Sequence, residues 1–248
     1  MLPNFQVPSI LMGLFLRKLD VQDFQNFSQS LPWRLPELDA EPRFAQLPPN
    51  APADQPRVLF ASKDQRLVLE VAPAKVQFRM MPGEIERTEQ GQMTMKTLGL
   101  KEAFDRFIPQ AMRIHTTLSE HCGATASRIG VVVEMIAGTA SSANQRMQNT
   151  LLSSKNLFGE RLMELQVQAH SRPALDDGVT VNRRLHVYPI RTGQQGGPDL
   201  ALGVKIDINT LAEEPYDIST ADLEKFFQNV ASHIETKVPL LQEKALFE

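Results

Sequence analysis

The residues with the best case for chemistry lie in the last third of the chain: Glu164, His170, Arg184, His186, Tyr188, Lys205, Asp207 and Asn209. They recur at every second position in three short runs. Glu164, Gln166, Gln168 and His170 alternate with Leu165, Val167 and Ala169. Arg184, His186 and Tyr188 alternate with Leu185, Val187 and Pro189, and Lys205, Asp207 and Asn209 alternate with Val204, Ile206 and Ile208. A period of two puts each polar set on one face of a strand. Antiparallel neighbours would then set the three side by side on one polar sheet face. There, His with Asp could do acid–base work, and Arg with Tyr could hold an anion.

The same alternation also describes a sheet with one solvated face and no function. Within the pattern, Asp207 stands in an otherwise apolar run and needs a partner, for which Lys205 and Arg184 are the nearest candidates. A structural ion pair accounts for it more simply than a catalytic acid. Glu134, alone among Val131–Ala137, is read the same way. His121 and Cys122 are adjacent in sequence, a spacing that seldom makes a nucleophile–base couple. The glycines between Gly193 and Gly197 have no Lys-Ser/Thr after them and no helix to lend a dipole, so they read as a hairpin loop. The five His residues show no HxH or HxxxH spacing. No metal and no cofactor is expected.

The elements that must position these groups are legible as two similar series. Ser9–Arg17 reads as a central strand buried on both faces. A helix follows from about Asp20, with Val21, Phe24, Phe27 and Leu31 as its stripe. Seven prolines between Leu31 and Pro56 predict an extended surface connection, pinned to the core by Trp33. Strands are expected at Arg57–Ala61, Arg66–Ala72 and Lys75–Met81, the last two joined as a hairpin through Pro73-Ala74. Gly83–Lys96 is polar and reads as a mobile loop. A long amphipathic helix then carries Leu100, Phe104, Phe107, Ile108, Ala111 and Leu118.

The second series is a strand at Arg128–Ala137, a helix capped by Ser141 or Ser142, and strands at about Arg161–His170, Val179–Arg191 and Leu200–Asn209. A helix from Ser219 closes it, with Leu223, Phe226, Phe227, Val230 and Ile234 inward and a capping box from Ser219 to Asp222. One constant offset places Ile10 on Ile129, Phe107 on Phe226 and Ile108 on Phe227. The predicted fold is α+β, with antiparallel sheet packed against long helices, in a single domain over 1–248. An internal duplication would divide it into halves 5–122 and 123–248.

Composition bounds the rest. With 42% hydrophobic and 22% charged residues the chain has ordinary globular usage. A net charge of -3 gives no overall footprint for nucleic acid or an anionic membrane, so neither is expected as a partner. A single Cys excludes an intrachain disulfide and fits a reducing cytoplasm. The apolar run Ile10–Leu16 is far shorter than the ~20 residues of a membrane helix. It also lacks the basic segment and cleavage site of a signal peptide.

The early strand, the hairpin at Leu67–Met81 and the late strand Val204–Asn209 lead into the helix Asp222–Val230. That order resembles a sporadically distributed family of uncharacterised bacterial proteins of about this length. The resemblance implies an architecture and a bacterial origin; it carries no site residues. Three functions are compatible with the residues. The one preferred from sequence is a non-catalytic binding or assembly protein that works through protein–protein contacts and self-associates as a homo-oligomer. The second is a small-molecule binder with a pocket between curved sheet and helix, lined by Phe78, Met80 and Val187. The third is a hydrolase or nuclease using Asp207, His186 and Glu164.

Overall fold

Ile10, Met12, Leu14 and Leu16 alternate with half-open neighbours, and this pattern builds the first strand, β1 (Gln6–Leu16). The structure is a computed structural model. It describes residues 6–17, 21–39, 41–48, 50–87, 93–122, 125–138, 142–151, 156–157, 160–161, 165–175, 178–190, 201–212 and 217–243. After β1 come α1 (Val21–Arg34), the short β2 (Arg43–Phe44), and a meander of β3 (Val58–Ala61), β4 (Leu67–Ala72) and β5 (Lys75–Met80). A small hairpin, β6 (Glu84–Arg87) and β7 (Met93–Lys96), precedes the long α2 (Leu100–Cys122). The second series opens with β8 (Ala126–Gly138) and α3 (Ala143–Leu151). The two-residue pair β9 (Asn156–Leu157) and β10 (Glu160–Arg161) follows, then β11 (Val167–Ser171), β12 (Val181–Ile190), β13 (Ala201–Thr210) and α4 (Thr220–Glu243).

Nine strands form one antiparallel sheet in the order β11-β12-β13-β8-β1-β5-β4-β3-β2. β1 and β8 pair at its middle, with Met12 opposite Val131 and Gly13 opposite Gly130. From that central pair outward, the first series places β5, β4 and β3 on one side. The second places β13, β12 and β11, in the equivalent order, on the other. The fold is therefore α+β, with a large antiparallel sheet and long helices, as the alternation predicts.

Among the described residues the long helices α2 and α4 cover one face of the sheet. Ala103, Phe104, Phe107, Ala111, Ile114 and Leu118 of α2 are buried on that side, as are Leu223, Phe226, Phe227, Val230 and Ile234 of α4. Phe107 lies at the junction. Its ring stacks on Phe78 of β5 at 5.7 Å and meets the edges of Phe104 at 6.2 Å and Phe227 at 5.3 Å. The capping box forms: Ser219 Oγ accepts from the Asp222 amide at 3.1 Å, and Asp222 accepts from the Ser219 amide at 2.9 Å. Just inside it, buried His115 of α2 reaches Ile218 O at 3.1 Å and Thr220 Oγ at 3.2 Å.

Several expectations are corrected. β1 is central, but only its helix face is fully buried; Leu11, Gly13 and Phe15 face the open side half-exposed. Trp33 does not pin the Pro-rich segment: it is 88% exposed. The first helix runs on through Pro32 to Arg34, so Leu31 and Leu35 turn inward while Trp33 points outward. Gly83–Lys96 is not a loop throughout, because β6 and β7 pair with Ile85 opposite Met95. A four-residue strand offers too few alternations to stand out from a loop by composition. The strand expected at Arg161–His170 is shorter, starting at Val167. Among the described residues no helix is long and apolar enough to cross a membrane.

Candidate functional site

The uncovered sheet face is organised in rungs, because in-register antiparallel strands align same-face side chains across the sheet. One rung runs His170, Arg184, Asp207, Val132, Leu11, Arg79 across β11, β12, β13, β8, β1 and β5. The next runs Asn182, Asn209, Gly130, Gly13, Gln77. Beyond it stand Arg128, Phe15 and Lys75, with Lys75 Nζ 5.1 Å and the Arg128 guanidinium 4.7 Å from the Phe15 ring centre.

Two adjacent glycines on the middle rung leave a trench between taller rows. The trench opens into a cleft of about 630 Å³ whose lining includes Phe15, Lys75, Arg128, His170, Arg184 and Asp207. At Gly130 a Cβ would meet the Asn209 amide, which lies across it and would have to move aside. Held down this way, Asn209 donates a short hydrogen bond to the Asp207 carboxylate. Gly13 has more room: a Cβ would meet only Phe15 at 3.7 Å and Lys75 at 3.9 Å, ordinary contacts.

A second polar group lies beside the cleft. His186 bonds Gln166 at 3.0 Å, and its ring lies 4.8 Å from that of Tyr188. Lys205 pairs with Glu134 at 3.7 Å, and Ser9 donates to the same carboxylate at 3.0 Å. Burial raises the Tyr188 hydroxyl pKa, and the Glu134 charge adds to that. The Tyr188 ring covers Gly203, where a Cβ would fall 2.5 Å from the ring. Gly203→Ala is expected to cost about 1–3 kcal/mol, because the ring must swing off and give up its contact with His186. Chemical denaturation measures this. A variant as stable as the parent would mean that the ring is not seated over Gly203.

The structure thus puts His170, Arg184, Asp207 and Asn209 in one cleft and His186, Tyr188 and Lys205 beside it. Glu164 lies outside the described residues. The partner expected for Asp207 is corrected. Neither Lys205 nor Arg184 reaches it; Asn209 does, since Asp207 faces the half-open side rather than the core. Asp207 and His186 sit on different rungs with different partners. Among the described residues no three His, Cys, Asp or Glu converge as metal ligands. Sequence reasoning missed Lys75, Gln77, Arg128 and Asn182. The alternation of Lys75 and Gln77 with Val76 and Phe78 was the available signal, but joining that face to the second series required the β1–β8 pairing.

No family model and no curated protein matches the chain. Among solved structures, a rolling circle replication initiator protein from Geobacillus stearothermophilus is similar, at 11% identity and a TM-score of 0.34, over 97% of this chain and 84% of that one. A likeness that distant carries no functional argument.

Proposed function

We propose that the protein is a non-catalytic binding protein whose working surface is the open face of the nine-stranded sheet, with the glycine-floored cleft as its centre. The observation that carries this reading is the trench. Among the described residues the helices cover one side of the nine strands, and the other side has a concavity of about 630 Å³, within the size range of small-molecule sites. The pocket expected between sheet and helices finds less support, because Phe78, Phe104, Phe107 and Phe227 fill that space with ring-on-ring contacts. A hydrolytic role for Asp207 and His186 finds less support too, because each is held by a different neighbour and they share no hydrogen bond. Self-association through sheet edges has little to work with at one end. β2 is two residues long, and very short edge strands are a common block to edge pairing.

Filling the trench tests the location. Gly13→Leu adds a side chain over the floor without a close backbone contact, and a leucine suits a strand better than glycine does. Native mass spectrometry of the protein purified from its own cells is expected to find a non-covalent adduct on the parent that Gly13→Leu lacks while melting normally. An adduct that survives in Gly13→Leu would place binding elsewhere.

A further inference from the structure

We infer that the trench is an anion site: it takes a small molecule bearing a phosphate or comparably charged group, held over Gly13 between Arg128, Lys75 and Arg184. The inference rests on the proposed binding role and adds to it the chemistry of what binds.

Charge balance is the first ground. The chain as a whole carries a net charge of -3, yet among the described residues Lys75, Arg128 and Arg184 border this cleft with Asp207 as its one carboxylate. Asp207 is already engaged by the Asn209 amide. The state of the cations is the second ground. Elsewhere Arg17, Arg34, Lys63, Lys101 and Arg113 each lie within 2.7–3.2 Å of a carboxylate, although among the described residues Arg43, Arg57 and Arg79 do not. Among the described residues Lys75, Arg128 and Arg184 have no such partner. Arg128 uses one donor, Nε, on Thr210 O at 3.2 Å and rests on Phe15, which leaves its two terminal NH2 groups unspent. Lys75 rests on the same ring from the opposite neighbouring strand. Two like charges held over one aromatic ring repel each other, and an anion bridging them would relieve that repulsion.

The floor supplies the third ground. With no side chain at Gly13, a ligand can approach the backbone there, as phosphate groups do at glycine-lined sites, while the Asn209 amide covers Gly130 beside it. Gln77, Asn182 and Asn209 on the same rung bring amide donors suited to phosphate oxygens. A guanidinium on either side offers forked, charge-assisted hydrogen bonds, the strongest kind available to a neutral-pH site. The cleft is open along the sheet, so the rest of the ligand can extend towards His170 on β11.

Calorimetric titration of the full chain with inorganic pyrophosphate at low salt tests the inference. Binding is expected for the parent, weakened roughly tenfold or more by Arg128→Gln and by Arg184→Gln, since each removes charge-assisted hydrogen bonds. Asp207→Asn, which deletes the one negative charge among the described residues of the cleft, should tighten binding. Arg113→Gln, on the helix side, should leave it unchanged, and thermal melts establish that every variant is folded. The Asp207→Asn arm separates an anion site from a generally polar one, because a merely structural role for Asp207 predicts no gain. The inference is overturned by absence of binding at millimolar pyrophosphate, or by affinities indifferent to the cleft charges. It is also overturned if the protein captures a single-stranded oligonucleotide that pyrophosphate cannot displace. Loss of the native adduct in Gly13→Leu combined with indifference to pyrophosphate would leave the trench as the binding place and remove the anion from it.

Discussion

Phe107→Ala is expected to remove about 3–5 kcal/mol of folding stability, the largest effect of any single truncation argued from this structure. The side chain is fully buried, and its ring contacts Phe78 from the sheet, Phe104 from its own helix and Phe227 from α4. Three elements therefore lose a shared contact at once, and none can close the gap without dragging a packed neighbour with it. For a chain of this length the loss corresponds to a fall in melting temperature of roughly 10 °C. Phe107→Leu, which keeps most of the apolar volume, should cost about half as much or less. Phe44→Ala, at a site 67% exposed, is a control expected within about 0.5 kcal/mol of the parent. Urea denaturation of the three variants decides the matter. A Phe107→Ala protein within about 1 kcal/mol of the parent would mean that the aromatic cluster does not hold the helices to the sheet.

His115→Ala is expected to cost about 2–4 kcal/mol, through lost hydrogen bonds as much as lost volume. The imidazole is 2% exposed on α2. Ile218 O can only accept, so the proton sits on Nε2; Nδ1 then accepts from the Thr220 hydroxyl. The neutral ring is thus fully satisfied, and it ties α2 to the residue that bridges Ala126 and to the first turn of α4. Burial lowers the pKa of the ring below its ordinary 6.5, against the smaller raising effects of the Ile218 carbonyl and the Asp222 carboxylate.

The pH dependence follows from that direction. Below pH 6.5 the unfolded chain protonates before the folded one, so the unfolded state binds more protons and stability falls with falling pH. The contribution is fully present above 6.5 and is lost as the pH drops towards the lowered folded pKa. Asp222 acts lower on the scale, since the Ser219 hydrogen bonds lower its pKa below the ordinary 3.8, and its contribution fades only in stronger acid. Denaturant midpoints taken from pH 7.5 to 5 should therefore slope down for the parent, and less so for His115→Gln. Equal slopes for the two proteins would remove His115 from the account.

Much of this was written locally in the chain. Alternation in Val204–Asn209 and Arg184–Pro189 assigned faces correctly, because a strand's side-chain period is two whatever it pairs with. The capping box at Ser219 and the stripes of α2 and α4 were equally legible, since helix caps and 3.6-residue periodicity are properties of a few consecutive residues. Trp33 was misjudged for a related reason: hydrophobicity raises the odds of burial, but the direction of a side chain depends on where its helix ends. The β6–β7 hairpin was hidden because each strand is stabilised by the other and neither pattern is long enough alone.

The sequence by itself determined which residues are inward and which outward along each element, and hence that one face of the late strands is polar. Only the tertiary structure decided that this face continues across Gly130 and Gly13 onto Gln77 and Lys75, making a trench rimmed with cations. The reason is physical. Side-chain alternation is set by the local backbone, whereas strand neighbours are chosen by pairings that join distant parts of the chain, as β1 joins β8. A site assembled across such a pairing leaves no mark in either strand alone.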